Sequence, residues 1–265
     1  MAKYLKVIYR VYESSDALAR AAAQHFAERV QQAIEKRGRA RIAISGGSTP
    51  KEMFALLADG NEFYGKDLPW DKVELFWVDE RPVGPDDPDS NYRMTNEQLL
   101  SKVPLAPEHV HRIEGELDPE EAAAKYESVI RREFRLEGAE APRFDIVWLG
   151  MGDDGHTASL FPHTEGVHEL GRIAFANHVP QKDTWRISLS APVINEALEV
   201  VFLIGGDDKA APLERVLYGE PDVDETPAQL IQPKNGSLLF LLDEKAAAKL
   251  PKPGPDGAGH LELSR

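Results

Sequence analysis

Four short runs constrain this chain more than any other feature: VELFWV at 73–78, FDIVWL at 144–149, VVFLI at 200–204 and LLFLL at 238–242. A strand with one wet face alternates apolar and polar residues. These runs are apolar almost throughout, the pattern of strands covered on both faces in a parallel sheet. Further strands are expected over 6–12, 41–45 and 186–189. Helical periodicity marks 17–36, 50–58, 92–101, 119–136, 191–197, 210–217 and 244–249, with Asp16 placed to cap the first of these. The alternation of strand and helix points to a doubly wound α/β fold. No Pro/Gly-rich linker interrupts 1–250, which reads as a single domain. Residues 251–265, with Pro251, Pro253, Gly254, Pro255, Gly257 and Gly259, read as a flexible C-terminal tail.

Composition narrows the function classes. The apolar fraction of 42% supplies a core, and 29% charged residues suits a soluble surface. No run approaches the roughly 18–20 apolar residues of a membrane span, so no membrane partner is expected. The first residues lack the apolar stretch of a secretory leader. The chain has no cysteine, which removes disulfides, zinc–thiolate sites and thiol nucleophiles and fits a cytoplasmic protein. A formal charge of −14 argues against nucleic acid. An enzyme for an anionic substrate must then gather its cations locally against that background.

Four strand ends carry such clusters, and in open α/β sheets ligands bind beyond the carboxyl ends of the strands. The first is Ser45-Gly46-Gly47-Ser48-Thr49-Pro50. Its glycines allow close backbone approach, Thr49 is placed to cap the next helix, and Pro50 suits its first position. The result is either a phosphate cradle at a helix N-terminus or an ordinary capped turn. The second begins Asp79-Glu80-Arg81-Pro82. Here Arg81 suits bidentate contact with a phosphate and an acid suits orienting it, or else an acid serves a helix N-terminus. The polar stretch 79–91 has the length of a lid or binding loop.

The third cluster, 150–162, reads GMGDDGHTASLFP. An imidazole can take a proton from water at neutral pH, and a nearby carboxylate can fix its tautomer, so His156 is a candidate general base. Asp153 or Asp154 can alternatively cap a following helix. The fourth is Gly205-Gly206-Asp207-Asp208-Lys209. Lys209 opposes the helix dipole there, which makes sense where it meets a bound anion; a solvated lysine is the alternative. Arg186 is a further cation. His156, His163, His168 and His178 share one stretch but match no HExxH-type spacing, so no metal is expected.

Together, AISGGSTPKEMF, FWVDERPVGPDDPDSNYRM, FDIVWLGMGDDGHTASLFP and VVFLIGGDDKA resemble the 6-phosphogluconolactonases, in order over about residues 14–243. The wider family includes glucosamine-6-phosphate deaminases, which typically carry MDEY where this chain has VDER and FNEP where it has SLFP. The resemblance implies a Rossmann-like three-layer α/β/α fold with a mainly parallel sheet. It implies hydrolysis of 6-phosphoglucono-δ-lactone to 6-phosphogluconate in the oxidative pentose phosphate pathway, with no cofactor. His156 would be the general base and Asp154 its partner. Gly46, Gly47, Ser48, Thr49, Asp79, Arg81 and Lys209 would line the substrate and phosphate pocket. Arg186, which would join these substrate- and phosphate-binding residues, matches an arginine usual in the lactonases, although Trp185 stands where a tyrosine is common. The expected partner is a phosphorylated sugar lactone, with monomer and dimer both open. Two rivals remain: a deaminase or isomerase with Asp79 as base, and a non-catalytic sugar-phosphate sensor.

Overall fold

The structure, a computed structural model, describes residues 4–60, 63–254 and 257–264. Residues 1–3, part of the leader reading, and 255, 256 and 265, part of the tail reading, lie outside the described residues.

The four apolar runs all form interior strands of one eight-stranded sheet. In chain order its strands are β1 (Tyr4–Tyr12), β2 (Ala40–Ile44), β3 (Val73–Trp77), β5 (Val110–His111), β6 (Ile146–Leu149), β9 (Glu199–Ile204), β10 (Ser237–Asp243) and β11 (Ala258–Ser264). In space they run β11-β1-β10-β9-β6-β2-β3-β5. Every pairing is parallel except that of β11 with β1. A second, antiparallel sheet joins β4 (Asp79–Glu80), β8 (Thr184–Leu189) and β7 (Ala174–Val179), in the order β4-β8-β7.

The helices are α1 (Ser15–Arg37), α2 (Ser48–Ala58), α3 (Phe63–Lys66), α4 (Asn91–Gln98), α5 (Pro119–Phe134), α6 (Ala191–Ile194) and α7 (Ala210–Tyr218). Adjacent residues of β3 show why the central strands carry no polar face. Phe76 meets Phe134 of α5 at 5.6 Å, while Trp77, pointing the other way, meets Tyr92 of α4 at 5.6 Å. Helices therefore cover both faces, as expected of an α/β/α arrangement.

Three local expectations are corrected. Ser14, not Asp16, caps α1, its Oγ accepting from Ala17 N at 3.2 Å; Asp16 instead pairs with Arg20. Residues 244–249 form turns rather than a helix. Within 251–265, the segment expected as a flexible tail, 258–264 forms β11, paired with β1 from Tyr4↔Ser264 to Arg10↔Ala258. Gly259 lies against the ring of Tyr9, whose hydroxyl donates to the Pro251 carbonyl at 2.8 Å.

The strand order places the site. From β2 the chain moves to β3 on one side, whereas from β6 it moves by way of β7 and β8 to β9 on the other. The reversal falls between adjacent β2 and β6, the switch point at which a crevice opens beyond the carboxyl ends.

Candidate active site

A cleft of about 270 Å³ occupies that crevice, and all four loops singled out above reach it. After β2 come Ser45, Gly46, Gly47, Ser48, Thr49 and Pro50. β3 is followed by Asp79 and Arg81, β6 by Gly150, Met151, Gly152 and His156, and β9 by Gly205 and Lys209. Asn91 also lines it.

The cradle differs in detail from its sequence expectation. α2 begins at Ser48, with Gly47 as N-cap at φ 115°, a left-handed-side value that disfavours a side chain. No side chain caps this terminus, so Thr49 is a first-turn residue and not the cap, and Pro50 lies deeper in the turn than expected. The first-turn N–H groups and the helix dipole thus border the cleft, the arrangement that favours an anion. Ser45 is buried, and its Oγ donates to the Trp148 carbonyl at 2.8 Å, which ties β2 to β6.

The loop after β6 folds back on itself around an acid–imidazole pair. His156 Nδ1 lies 2.5 Å from Asp154 Oδ1, and the same oxygen accepts from His156 N at 3.0 Å. Gly152 N donates to the His156 carbonyl at 2.8 Å and closes the turn. Burial works to raise the Asp154 carboxyl, but the hydrogen bonds from the ring and backbone of His156, with the charge between them, hold it down at about 2. It is therefore a carboxylate at neutral pH. Phe161 stacks on the imidazole at 4.0 Å between ring centroids, inclined by 25°. The ring is clamped on one edge and one face. Asp153 has no part in this contact.

DER divides its labour. Glu80 is 2% exposed and accepts four hydrogen bonds: from Arg81 N, Asn91 N and Tyr92 N at 2.7–2.9 Å, and from Ser90 Oγ at 3.1 Å. It anchors the start of α4 and both ends of the 79–91 loop. Burial raises its pKa against the lowering effect of those backbone N–H groups. Asp79 is 8% exposed; its carboxylate accepts from Ser159 Oγ at 2.7 Å and Asn91 Nδ2 at 3.3 Å. Arg81 reaches the cleft, and its guanidinium donates to the Asp89 carbonyl.

Lys209 lines the cleft with its Nζ 2.8 Å from Asp208 Oδ2. Arg186, expected in the pocket, is not on its lining. It stands on β8 near Arg81, with Nη1 donating to the Trp185 carbonyl at 2.9 Å and Thr184 Oγ1 at 3.3 Å. Burial, followed by the charge of Arg81, lowers its pKa, while Asp79, Asp89 and Glu80 oppose the shift. His163 and His168 pair with Glu225 and Asp224, and His178 tilts against Trp185.

Residues not singled out from sequence complete the site: Asn91, Ser159 and Phe161. Asn91 follows a Ser at a helix start, and Phe161 falls inside the GMGDDGHTASLFP run. Ser159 falls inside the same run, but nothing local marks its partner Asp79, 80 positions away.

This cleft and fold define a family. The chain belongs to the glucosamine-6-phosphate isomerase/6-phosphogluconolactonase family, whose model matches residues 13–240. It is similar to the 6-phosphogluconolactonase of Nostoc sp., with 42% identity over 220 residues, covering 82% of this chain and 88% of the relative. The 6-phosphogluconolactonase of Synechocystis sp. is 40% identical over 223 residues, covering 84% and 89%. Among solved structures, 6-phosphogluconolactonase from Trypanosoma cruzi superposes with a TM-score of 0.79 at 27% identity, covering 94% of this chain and 98% of that one. A monomeric glucosamine-6-phosphate deaminase shares the fold at a TM-score of 0.76 and 19% identity. No helix of the described residues is long and apolar enough to cross a membrane.

Proposed function

We propose that this chain hydrolyses 6-phosphoglucono-δ-lactone to 6-phosphogluconate, with His156 as general base. The observation that carries the proposal is the 2.5 Å Asp154–His156 pair within the same small cleft as an uncapped helix N-terminus, Arg81 and Lys209. One end of the cleft suits a phosphate and the other suits proton transfer. The lactonase names of the relatives support the reading.

With Nδ1–H donating to ionised Asp154, the neutral ring presents Nε2 as the acceptor. Nε2 takes a proton from water as the water oxygen attacks the lactone carbonyl carbon. The tetrahedral intermediate collapses by breaking the bond from that carbon to the ring oxygen, and the imidazolium returns its proton to the leaving oxygen. Asp154 stabilises the imidazolium between the two transfers. A lactone is already an activated ester, so a general base giving about 10²–10⁴-fold, with positioning, is sufficient, and no covalent intermediate is required. Gly46, Gly47, Ser48, Thr49, Arg81 and Lys209 hold the phosphate end. Asp79, fixed by Ser159 and Asn91, borders the sugar and is poorly free to act as a mobile base; Arg186 supports the charge of the Arg81 loop.

The test is hydrolysis of freshly prepared 6-phosphogluconolactone, coupled to a dehydrogenase for 6-phosphogluconate, with unphosphorylated gluconolactone as control and spontaneous opening subtracted. A strong preference for the phosphorylated lactone is expected. No turnover above background, or ammonia release from glucosamine 6-phosphate at a higher kcat/KM, overturns the reading.

A further inference from the structure

At the opposite end of the sheet from the cleft, five arginines surround a concavity of about 320 Å³: Arg37, Arg39, Arg41, Arg135 and Arg143, with Phe134 and Asp145. They come from distant parts of the chain. Arg37 ends α1, Arg39 and Arg41 flank the start of β2, Arg135 follows α5, and Arg143 precedes β6. In a protein of net charge −14 this is a local excess of positive charge.

Two carboxylates answer part of it. Asp145 Oδ1 lies 2.5 Å from Arg37 Nη2, and Glu74 is shared by Arg39 Nη1 at 2.7 Å and Arg41 Nε at 2.8 Å. Arg41 also spreads over the ring of Phe134, 4.4 Å from its centroid. Arg135 and Arg143 are exposed and, among the described residues, have no carboxylate partner; Arg143 makes one long contact, 3.5 Å to the Asn235 carbonyl. Compensation of helix dipoles accounts for Arg37 and Arg135 at most, because Arg41 and Arg143 belong to strand starts. Arg135 also occupies a left-handed position, φ 54°, where glycine or asparagine is the usual residue.

We propose that this concavity is a second anion site that binds a linear chain of two or three phosphates. All five cations are guanidinia, whose planar forks match phosphate oxygens two at a time. The volume is at the lower end of pockets that take small ligands, roughly 300–1,000 Å³, and it suits a short chain rather than a duplex. The aromatic face beside it is already covered by Arg41, so the phosphates, not a base, carry recognition. The site stands independently of the lactonase reading.

Calorimetric titration of the full chain with sodium tripolyphosphate, against sulfate at matched ionic strength, tests it. The expected result is saturable binding stronger than that of sulfate, weakened at least tenfold in R135A/R143A, a variant that alters only exposed side chains and keeps lactone kcat/KM. Retention of tripolyphosphate binding in K209A separates this site from the cleft. ATP without metal distinguishes sources: binding equal to tripolyphosphate assigns a nucleoside-borne chain, and exclusion of ATP assigns free polyphosphate. No saturable binding, unchanged affinity in folded R135A/R143A, or loss in K209A overturns the proposal.

Discussion

Gly152→Ala isolates the geometry of the Asp154–His156 pair from its chemistry, since it removes neither group. A Cβ on Gly152 would stand 2.1 Å from His156 Nδ1, 2.3 Å from its Cε1 and 2.5 Å from Asp154 Oδ1. Ordinary contact for heavy atoms is about 3.5 Å, so ring and carboxylate must each retreat by about 1 Å or more. The backbone at 152 does not require glycine on torsional grounds; the obstacle is the pair itself. Both obstructing groups are side-chain ends, and the His156 side chain is 23% exposed, so it has room to swing outward. The stability cost belongs at the low end of overpacking, about 1 kcal/mol. That is a fall of about 2–4 °C in Tm for a chain of this size.

The catalytic cost is larger. A reacting group misplaced by about 1 Å loses roughly 10²-fold, approaching the 10²–10⁴-fold attributed to a general base. The phosphate end of the cleft is built from other loops and should be untouched. The coupled lactone assay should therefore show kcat reduced about 100-fold and KM changed less than about threefold. A folded Gly152→Ala enzyme with kcat within about threefold of wild type would refute the claim that a fixed Asp154–His156 geometry drives proton transfer.

Four further outcomes follow from individual contacts. His156→Ala should lose about 10²–10⁴-fold in kcat yet still bind 6-phosphogluconate, checked by calorimetry; unaltered turnover removes His156 as base. Lys209→Ala should raise KM for the phosphorylated lactone about tenfold or more, from loss of one charge-assisted contact, and leave the unphosphorylated lactone unaffected. Asp154 is held at about 2 against an ordinary 3.8, so its stabilising contribution is complete above 3.8 and lost as pH falls toward 2. Urea unfolding should thus show a stability gap between wild type and Asp154→Asn that persists down to about pH 5 and closes only below 3.8; a gap that closes between pH 7 and 5 contradicts this assignment. Glu80→Ala strands three backbone N–H groups and the Ser90 hydroxyl, and should cost about 2–4 kcal/mol in calorimetric unfolding while raising KM through the loosened Arg81 loop.

The fold was legible where burial writes itself into local sequence. VELFWV, FDIVWL, VVFLI and LLFLL each became a central parallel strand because the same residues face helices on both sides. The glycine-rich strand ends were legible for a related reason: polar and glycine residues abutting such strands lie at the ligand edge. β11 was hidden because the prolines and glycines ahead of it dominate its composition, and its pairing with β1 spans almost the whole chain. The helix starts misled in a different way. Ser14 and Asp16 are both acceptable caps, and only the backbone conformation decides between them. At α2 the helix starts two residues earlier than the Thr-Pro pair suggests, with Gly47 rather than Thr49 at the cap, which leaves the N-terminus without a side-chain cap. The Asp79–Asn91–Ser159 contact and the five-arginine concavity depend on strand order, which residue spacing does not encode.

The two cleft cations carry a consequence for affinity. Neither guanidinium nor ammonium waits unpaired: Arg81 donates to the Asp89 carbonyl and Lys209 meets Asp208 at 2.8 Å. A phosphate must exchange these partners, so each contact contributes the difference between two hydrogen-bonded states rather than the whole of a new one. Such exchange favours moderate affinity and ready release of an anionic product, which suits turnover better than storage. Asp208→Asn tests the point, because it weakens the competing partner without touching the cradle. It should lower KM for the phosphorylated lactone and tighten 6-phosphogluconate binding, with kcat unchanged or reduced where release becomes limiting. A raised KM in this variant would show that Asp208 orients Lys209 for the phosphate instead of competing with it.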